Sequence, residues 1–305
     1  MAKKNGFVEG TRVKVGMSDR IIRGVGYVLV TIYALACVIP FIIIISTSFT
    51  SEATIRAEGV QLIPKDISLQ AYEMVAKGGG IWWSYLLTIA MTLVGTFLGL
   101  SIIAMTGYAL QRKDFPFRNV ISFYVYFTSL FSAGLAPYYL LMTNTYHLMD
   151  SYFAVLLPLL MSPWLIILMK NFVKAIPHEI TESGKIDGAG DMKIFTALIL
   201  PMLKPALATI GLFLALGYWN EWYQSSLFLS SRVAVKPLQY TLYEIVNKTD
   251  ALRNSVAGQF ITLADIPTES VKMANAVLAT GPIIFLYPFV QRYFISGITV
   301  GAVKG

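Results

Sequence analysis

Six stretches of this chain are apolar for long enough to cross a bilayer, and no other feature restricts its fold as tightly. They run at about 26–48, 83–108, 120–142, 152–169, 196–219 and 274–292. A hydrocarbon core about 30 Å thick takes roughly 20 residues of helix. Barrel strands would alternate apolar and polar residues over about ten positions, and these runs do not. Because unpaired backbone cannot face lipid, the sequence predicts an all-α, polytopic membrane helical bundle of six transmembrane helices. Only 13% of the 305 residues are charged, against about 25% in an ordinary soluble domain.

The charges that remain report orientation. A net charge of +7 would admit nucleic acid as a partner, but the basic residues sit at the ends of apolar runs and form no continuous stripe, so nucleic acid is excluded. Lys3, Lys4, Arg12, Lys14, Arg20 and Arg23 precede the first run, Arg112, Lys113 and Arg118 follow the second, and Lys170, Lys174, Lys185 and Lys193 follow the fourth. The short loop "TNTYHLMDS" after the third run has no Lys or Arg. The positive-inside rule therefore places both termini and residues 170–195 in the cytoplasm of a multi-pass cell-membrane protein.

The expected organisation is a cytoplasmic tail at 1–25, a first span with its outer loop at 26–82, a transmembrane core at 83–292 and a cytoplasmic tail at 293–305. The first run is long enough to span and lacks a small-residue cleavage site, so it is expected to be retained. Pro40, Pro137, Pro158, Pro163, Pro201, Pro205, Pro282 and Pro288 lie inside the runs and predict kinked helices. Cys37 is the sole cysteine, so no intrachain disulfide or CxxC site exists.

One segment breaks the greasy pattern. "TESGKIDGAGDMKIFTALILP", residues 181–201, starts polar and ends apolar. Pro177 suits a helix start, Glu179 and Glu182 suit the positive end of its dipole, and Gly188 and Gly190 permit a sharp turn back into the membrane. The spacing predicts a short cytoplasmic helix at about 177–190, turned sharply onto the foot of the fifth span. The alternative is a loop lying passively at the membrane surface.

The same spacing resembles the signature of the integral membrane subunits of bacterial ATP-binding-cassette importers: Glu-Ala-Ala, three residues, Gly, nine residues, Ile, one residue, Leu-Pro. Here it reads Glu182, Ser183, Gly184, then Gly188, then Leu198, Leu200 and Pro201. "GYWNEWYQSSLFLSS" and the ending "QRYFISGITVGAVKG" are similar to the carbohydrate-uptake permeases, in the subgroup like the second maltose permease, and nearest to those for oligosaccharides or polysaccharide fragments. The resemblance implies the type I importer (MetI-like) fold in a bacterial inner membrane. It implies a homologous second permease, two cytoplasmic ATPase subunits, an extracytoplasmic solute-binding protein and a sugar cargo. It also implies that Glu182, Ser183, Gly184, Asp187, Gly188, Leu198 and Pro201 couple the chain to the ATPase, which would hold the ATP and Mg.

No cofactor, metal or catalytic set is expected on the chain itself. "ESGKI" lacks the upstream glycine loop and the Ser or Thr of a phosphate-binding loop, and the two histidines, His147 and His178, fall in loops on opposite sides. Asp187 and Asp191 flank the glycine turn as caps or solvated groups. Sugars are held by hydrogen-bonding groups and aromatic faces, so Tyr126, Ser129, Tyr138, Trp219, Asn220 and Glu221 are candidates for the substrate pathway, with an interfacial aromatic belt an equal reading for Trp219 and Trp222. Two rivals remain: another polar cargo such as a glycerol phosphate derivative, and a secondary carrier. No arginine cluster is visible in the spans, which counts against phosphate, and the absence of intramembrane acids counts against a proton-coupled carrier.

Overall fold

The computed structural model describes residues 17–77, 80–254 and 268–284. Among them the regular elements are helices, accompanied by one isolated bridge between Thr50 and Ile67. Residues 1–16 of the predicted tail at 1–25, the predicted tail at 293–305 and the last part of the sixth run at 285–292 lie outside the described residues, while residues 17–25 are helical.

The centre of the bundle is α4 (Ile81–Gln111), which packs most heavily on α8 (Pro163–Lys174) and α12 (Lys204–Trp219). Small residues make this possible. A Cβ added at Gly95 would sit 2.4 Å from the Tyr218 ring, and one at Gly107 2.6 Å from Cγ of Met169. Between helices in lipid there is little hydrophobic driving force, so close backbone approach over small residues carries the association. Ile103, Ile166, Met169, Ile194 and Ile210 form the buried centre of the resulting core.

The other long apolar helix, α1 (Met17–Ser48), makes no comparable contact. None of its most apolar window is buried, and its buried residues, among those described, are Ser46, Thr47 and Ser48 at the end. It leads to two short helices, α2 (Glu52–Glu58) and α3 (Gln70–Lys77).

Two predicted spans are broken rather than continuous. In the third, α5 (Arg118–Leu130) meets α6 (Leu135–Leu140) and its π-helical extension to Thr145 at 116°. Phe131 is extended and Gly134 takes a φ of +88°, which ends the helix at no steric cost to glycine. Pro137 then has no N–H with which to continue the ladder backwards. In the fifth, α10 (Asp191–Lys193), a π-helical turn over Ile194–Ile199 and α11 (Leu200–Met202) meet α12 at 84°. The break falls at Leu203, where Pro205 cannot donate to the Pro201 carbonyl.

The fourth span joins α7 (Tyr152–Leu160) to α8 as one stretch of 23 residues, with Pro163 in the first turn of α8, where its missing N–H costs nothing. Pro40 and Pro158 lie within α1 and α7 without ending either helix. Three described helices are thus long and apolar enough to cross a membrane, or five if each bent pair is one span. The predicted sixth begins in α15 (269–284). Three further helices complete the described chain: α9 (His178–Ile186), α13 (Tyr223–Phe228) and α14 (Leu238–Asn254).

Candidate functional site

The polar segment 177–201 folds into a compact unit at the C-terminal end of α4. The chain leaves α8 at Lys174 and starts α9 after Pro177. The helix ends in a complete left-handed turn: Gly188 N–H donates to the Lys185 carbonyl, Ala189 N–H donates to the Gly184 carbonyl, and Gly188 takes a φ of +73°. This pair of reverse bonds satisfies the last carbonyls of the helix and requires a residue that tolerates positive φ, which is why glycine stands there. Asp187 is the residue before it, its N–H bonded to the Ser183 carbonyl.

Gly184 faces inward. It is the buried residue of α9, and a Cβ there would lie 3.0 Å from Leu198 Cδ1 and 3.1 Å from Ile194 Cγ1. The small residue therefore seats α9 on the π-helical foot of the fifth span, so two parts of the sequence signature touch each other. Gly184, one of the residues that the resemblance gives to ATPase coupling, is packed within the chain. Glu182, Ser183, Lys185 and Ile186 point outward, Ile186 at 86% exposure, and Glu182 bonds to His178 Nδ1 at 2.9 Å. Leu198 is about one-third exposed, and Pro201 lies on the surface just before the 84° bend.

A charged cluster ties this unit to α4. Arg112, the residue after α4, pairs with Asp114 and with Asp191 at 2.6 Å, while Lys185 of α9 reaches Asp114 at 2.6 Å. Bonds from the Arg112 guanidinium and then from Lys185 hold the Asp114 carboxyl well below the usual carboxylate range. Asp114 in turn holds the Arg112 guanidinium firmly protonated. Sequence reasoning treated Arg112 and Lys185 as topology signals and Asp191 as a cap, and passed over Asp114. The signal available was the close sequence Arg112-Lys113-Asp114.

A second cationic group has no carboxylate partner among the described residues. A cavity of about 540 Å³ between α5 and α8 is lined by Lys113, Arg118, Lys170 and Lys174 together with Tyr126. Its lining contains no carboxylate, and Lys170 Nζ donates to Ser122 Oγ at 2.9 Å. The spans carry no arginine cluster, as the sequence indicated, yet folding brings one arginine and three lysines from span ends to one cavity.

The candidate pathway residues separate into two groups. Tyr126 and Ser129 lie exposed on α5, with the Ser129 hydroxyl bonded to the Tyr126 carbonyl. Across the 116° bend, Tyr138 donates to Gln224 Oε1 at 2.9 Å and rests edge-on against Phe228. Glu221 is 7% exposed and accepts from the N–H of Gln224 and from the N–H and hydroxyl of Ser225, which makes it the cap of α13. Trp219 is 6% exposed, with Nε1 donating to the Ala279 carbonyl at 3.0 Å. Asn220 is exposed and accepts from Gln239 at 3.3 Å. Trp219 and Glu221 are thus committed to internal bonds, and no single wall joins all six residues.

Residues 104–300 match the family described as the binding-protein-dependent transport system inner membrane component. Among curated proteins, a polygalacturonan/rhamnogalacturonan transport system permease of Bacillus subtilis is 35% identical over 289 residues, covering 95% of this chain and 100% of that relative. An arabinooligosaccharides transport system permease of Halalkalibacterium halodurans is 27% identical, covering 89% of this chain and 93% of its own length. Among solved structures, a chain of a bacterial ABC transporter involved in the import of the acidic polysaccharide alginate superposes with a TM-score of 0.78 at 33% identity, covering 92% of this chain and 98% of that one.

Proposed function

The chain belongs to the inner membrane components of binding-protein-dependent transport systems, and from that premise we propose that it is the permease subunit of an ATP-driven importer of acidic oligosaccharides or polysaccharide fragments. The observation that supports the transport role most strongly is the unit formed by α9 and the π-helical foot of the fifth span. A helix locked to its own chain through Gly184, with Glu182, Ser183 and Ile186 turned outward, is rigid enough to transmit a displacement and open enough to be grasped.

The remaining parts follow from that unit. Residues 170–195 and both termini face the cytoplasm, where a separate ATPase pair binds ATP and Mg and holds α9. A homologous second permease completes the pore, and an extracytoplasmic solute-binding protein delivers cargo. ATP drives the change between inward- and outward-facing states because the ATPase binds the two states with different affinity. An acidic cargo is supported by the four cations around the cavity between α5 and α8, whose lining among the described residues holds no carboxylate, and by relatives named for polygalacturonan and alginate.

The test is ATP-dependent uptake by the assembled complex in proteoliposomes. Glu182→Lys is expected to lower uptake about tenfold or more, the scale of reversing one charge at a protein interface. Intact uptake would contradict the coupling role. For cargo, replacing Arg118 and Lys170 by Gln is expected to slow import of trigalacturonate more than import of a neutral trisaccharide; equal effects would contradict the acidic assignment.

A further inference from the structure

The polar-aromatic sequence Tyr218 to Tyr223 offers two tryptophans, and the structure separates their roles. Trp219 is buried and its indole N–H is taken by Ala279. Trp222 is 41% exposed and lies 4.9 Å, centroid to centroid, from the ring of Tyr243, itself 43% exposed, with 33° between their planes. The two rings form a ledge over a cavity of about 280 Å³ between α14 and α15.

Beneath the ledge lies Asn275 of α15, 5% exposed, and among the described residues neither its Nδ2 nor its Oδ1 has a hydrogen-bond partner. A buried amide without partners is costly, and Asn275, which lines the cavity, gains a partner when its side chain turns toward a polar group that enters. Gln239 adds a second amide at the rim, already held toward Asn220 at 3.3 Å. The bond from Trp219 to the Ala279 carbonyl fixes the backbone of α15 under this cavity, so the floor is rigid while the ledge is open.

Aromatic faces beside amides are the chemistry that holds a pyranose: the C–H face of the ring lies on the aromatic surface, and its hydroxyls both donate to and accept from an amide. We propose that Trp222, Tyr243, Asn275 and Gln239 form a sugar-binding subsite on this permease, sized for one pyranose unit of the cargo. This rests on the reading of the chain as a carbohydrate importer. It assigns cargo contact to Trp222 and Asn275 rather than to Trp219 and Glu221, whose polar groups are used up internally.

The experiment measures two things: ATP-driven uptake of trigalacturonate and of maltotriose by the complete importer, and saturable binding of the same two sugars, without ATP, to the complex of permeases and ATPase free of the binding protein. Trp222→Ala is expected to raise the uptake KM about tenfold with kcat little changed, the scale of losing one aromatic face. Trp222→Phe should retain most of the affinity. Asn275→Leu, which keeps the volume and removes the amide, should raise KM about fivefold, the scale of one or two hydrogen bonds. Tyr243→Ala, at an exposed position, is expected to raise KM in the same way as Trp222→Ala and carries the test if Asn275→Leu prevents assembly.

A fall in kcat with KM unchanged, or no change in either constant, would overturn the subsite and leave Trp222 an interfacial aromatic. If the wild-type complex imports neither sugar, the importer reading fails on its own terms. Binding then decides the subsite separately: saturable binding that Trp222→Ala weakens supports it, and binding that is absent or unaffected overturns it.

Discussion

The two ends of α4 use carboxylates in opposite ways. At its C-terminal end, beside α9, Asp114 and Asp191 are exposed and pair with the basic residues Arg112 and Lys185. At the other end, Glu52, Asp150 and Glu221 bind mainly backbone N–H groups and hydroxyls. Glu52 is 3% exposed and accepts from the N–H of Glu269, and from the N–H and hydroxyl of Ser270, at the start of α15. Asp150 takes the N–H and hydroxyl of Ser230, and Glu221 caps α13. Exposed ion pairs contribute about 0–1 kcal/mol each and are screened by salt. Buried charge-assisted hydrogen bonds are stronger and leave orphaned donors when broken. One end is thus fastened by carboxylates that hold backbone and hydroxyl groups, while the end carrying α9 is fastened by exposed ion pairs that cost little to break.

The sharpest way to break that contrast is to remove a buried carboxylate. Glu52→Ala leaves the first N–H groups of α15 and the Ser270 hydroxyl without an acceptor, and is expected to cost about 2–3 kcal/mol, read as a fall in the thermal midpoint of the purified protein. Little change would show that Glu52 does not tie α2 to α15.

Acid should have the same effect in kind. Burial pushes the Glu52 carboxyl up, but its bonds to Ser270 and Glu269 outweigh this and hold it below its ordinary 4.5. A depressed folded-state value means that its stabilisation is fully present above about pH 4.5 and is lost as pH falls through the folded value. Protease sensitivity between α2 and α15 should therefore rise below about pH 4.5 in the wild type and respond less to pH in Glu52→Gln.

A smaller effect is expected at Gly188. Gly188→Ala puts a Cβ on a backbone with positive φ, costing about 1 kcal/mol, and its consequence should be larger for uptake than for thermal stability because it loosens the turn that sets α9 against the foot of the fifth span. Smallest of all is Asp114→Asn. It should lower the thermal midpoint by no more than the equivalent of about 1 kcal/mol, and the difference from wild type should shrink in about 1 M salt. A loss as large as that of Glu52→Ala would erase the contrast between the two ends.

Much of this was legible in the sequence where one local rule decides the outcome. Run length and apolarity located α4, α7 with α8, and α12. The spacing from Glu182 to Pro201 located α9, its glycine turn and the foot of the fifth span. Pro137, Pro201 and Pro205 announced kinks in the third and fifth spans but not their size: the residues on either side of Phe131 to Gly134, and of Leu203, are equally apolar, so nothing local separates a mild kink from an angle of 116° or 84°. The role of Glu52 was hidden for another reason: its partners Glu269 and Ser270 lie more than 200 residues away. Trp219 and Trp222 have nearly the same local sequence, and only the position of Ala279 and Tyr243 tells the buried one from the exposed one.

Coupling through α9 is tested by replacing Ile186, the outermost apolar residue of the helix, with a photo-crosslinking amino acid in the assembled importer. If α9 docks on the ATPase, illumination yields a single crosslinked product with the mass of this chain plus one ATPase subunit, accompanied by loss of ATP-dependent uptake. Crosslinks to the second permease or to lipid alone, with no ATPase product in a complex that still transports, would contradict coupling through α9.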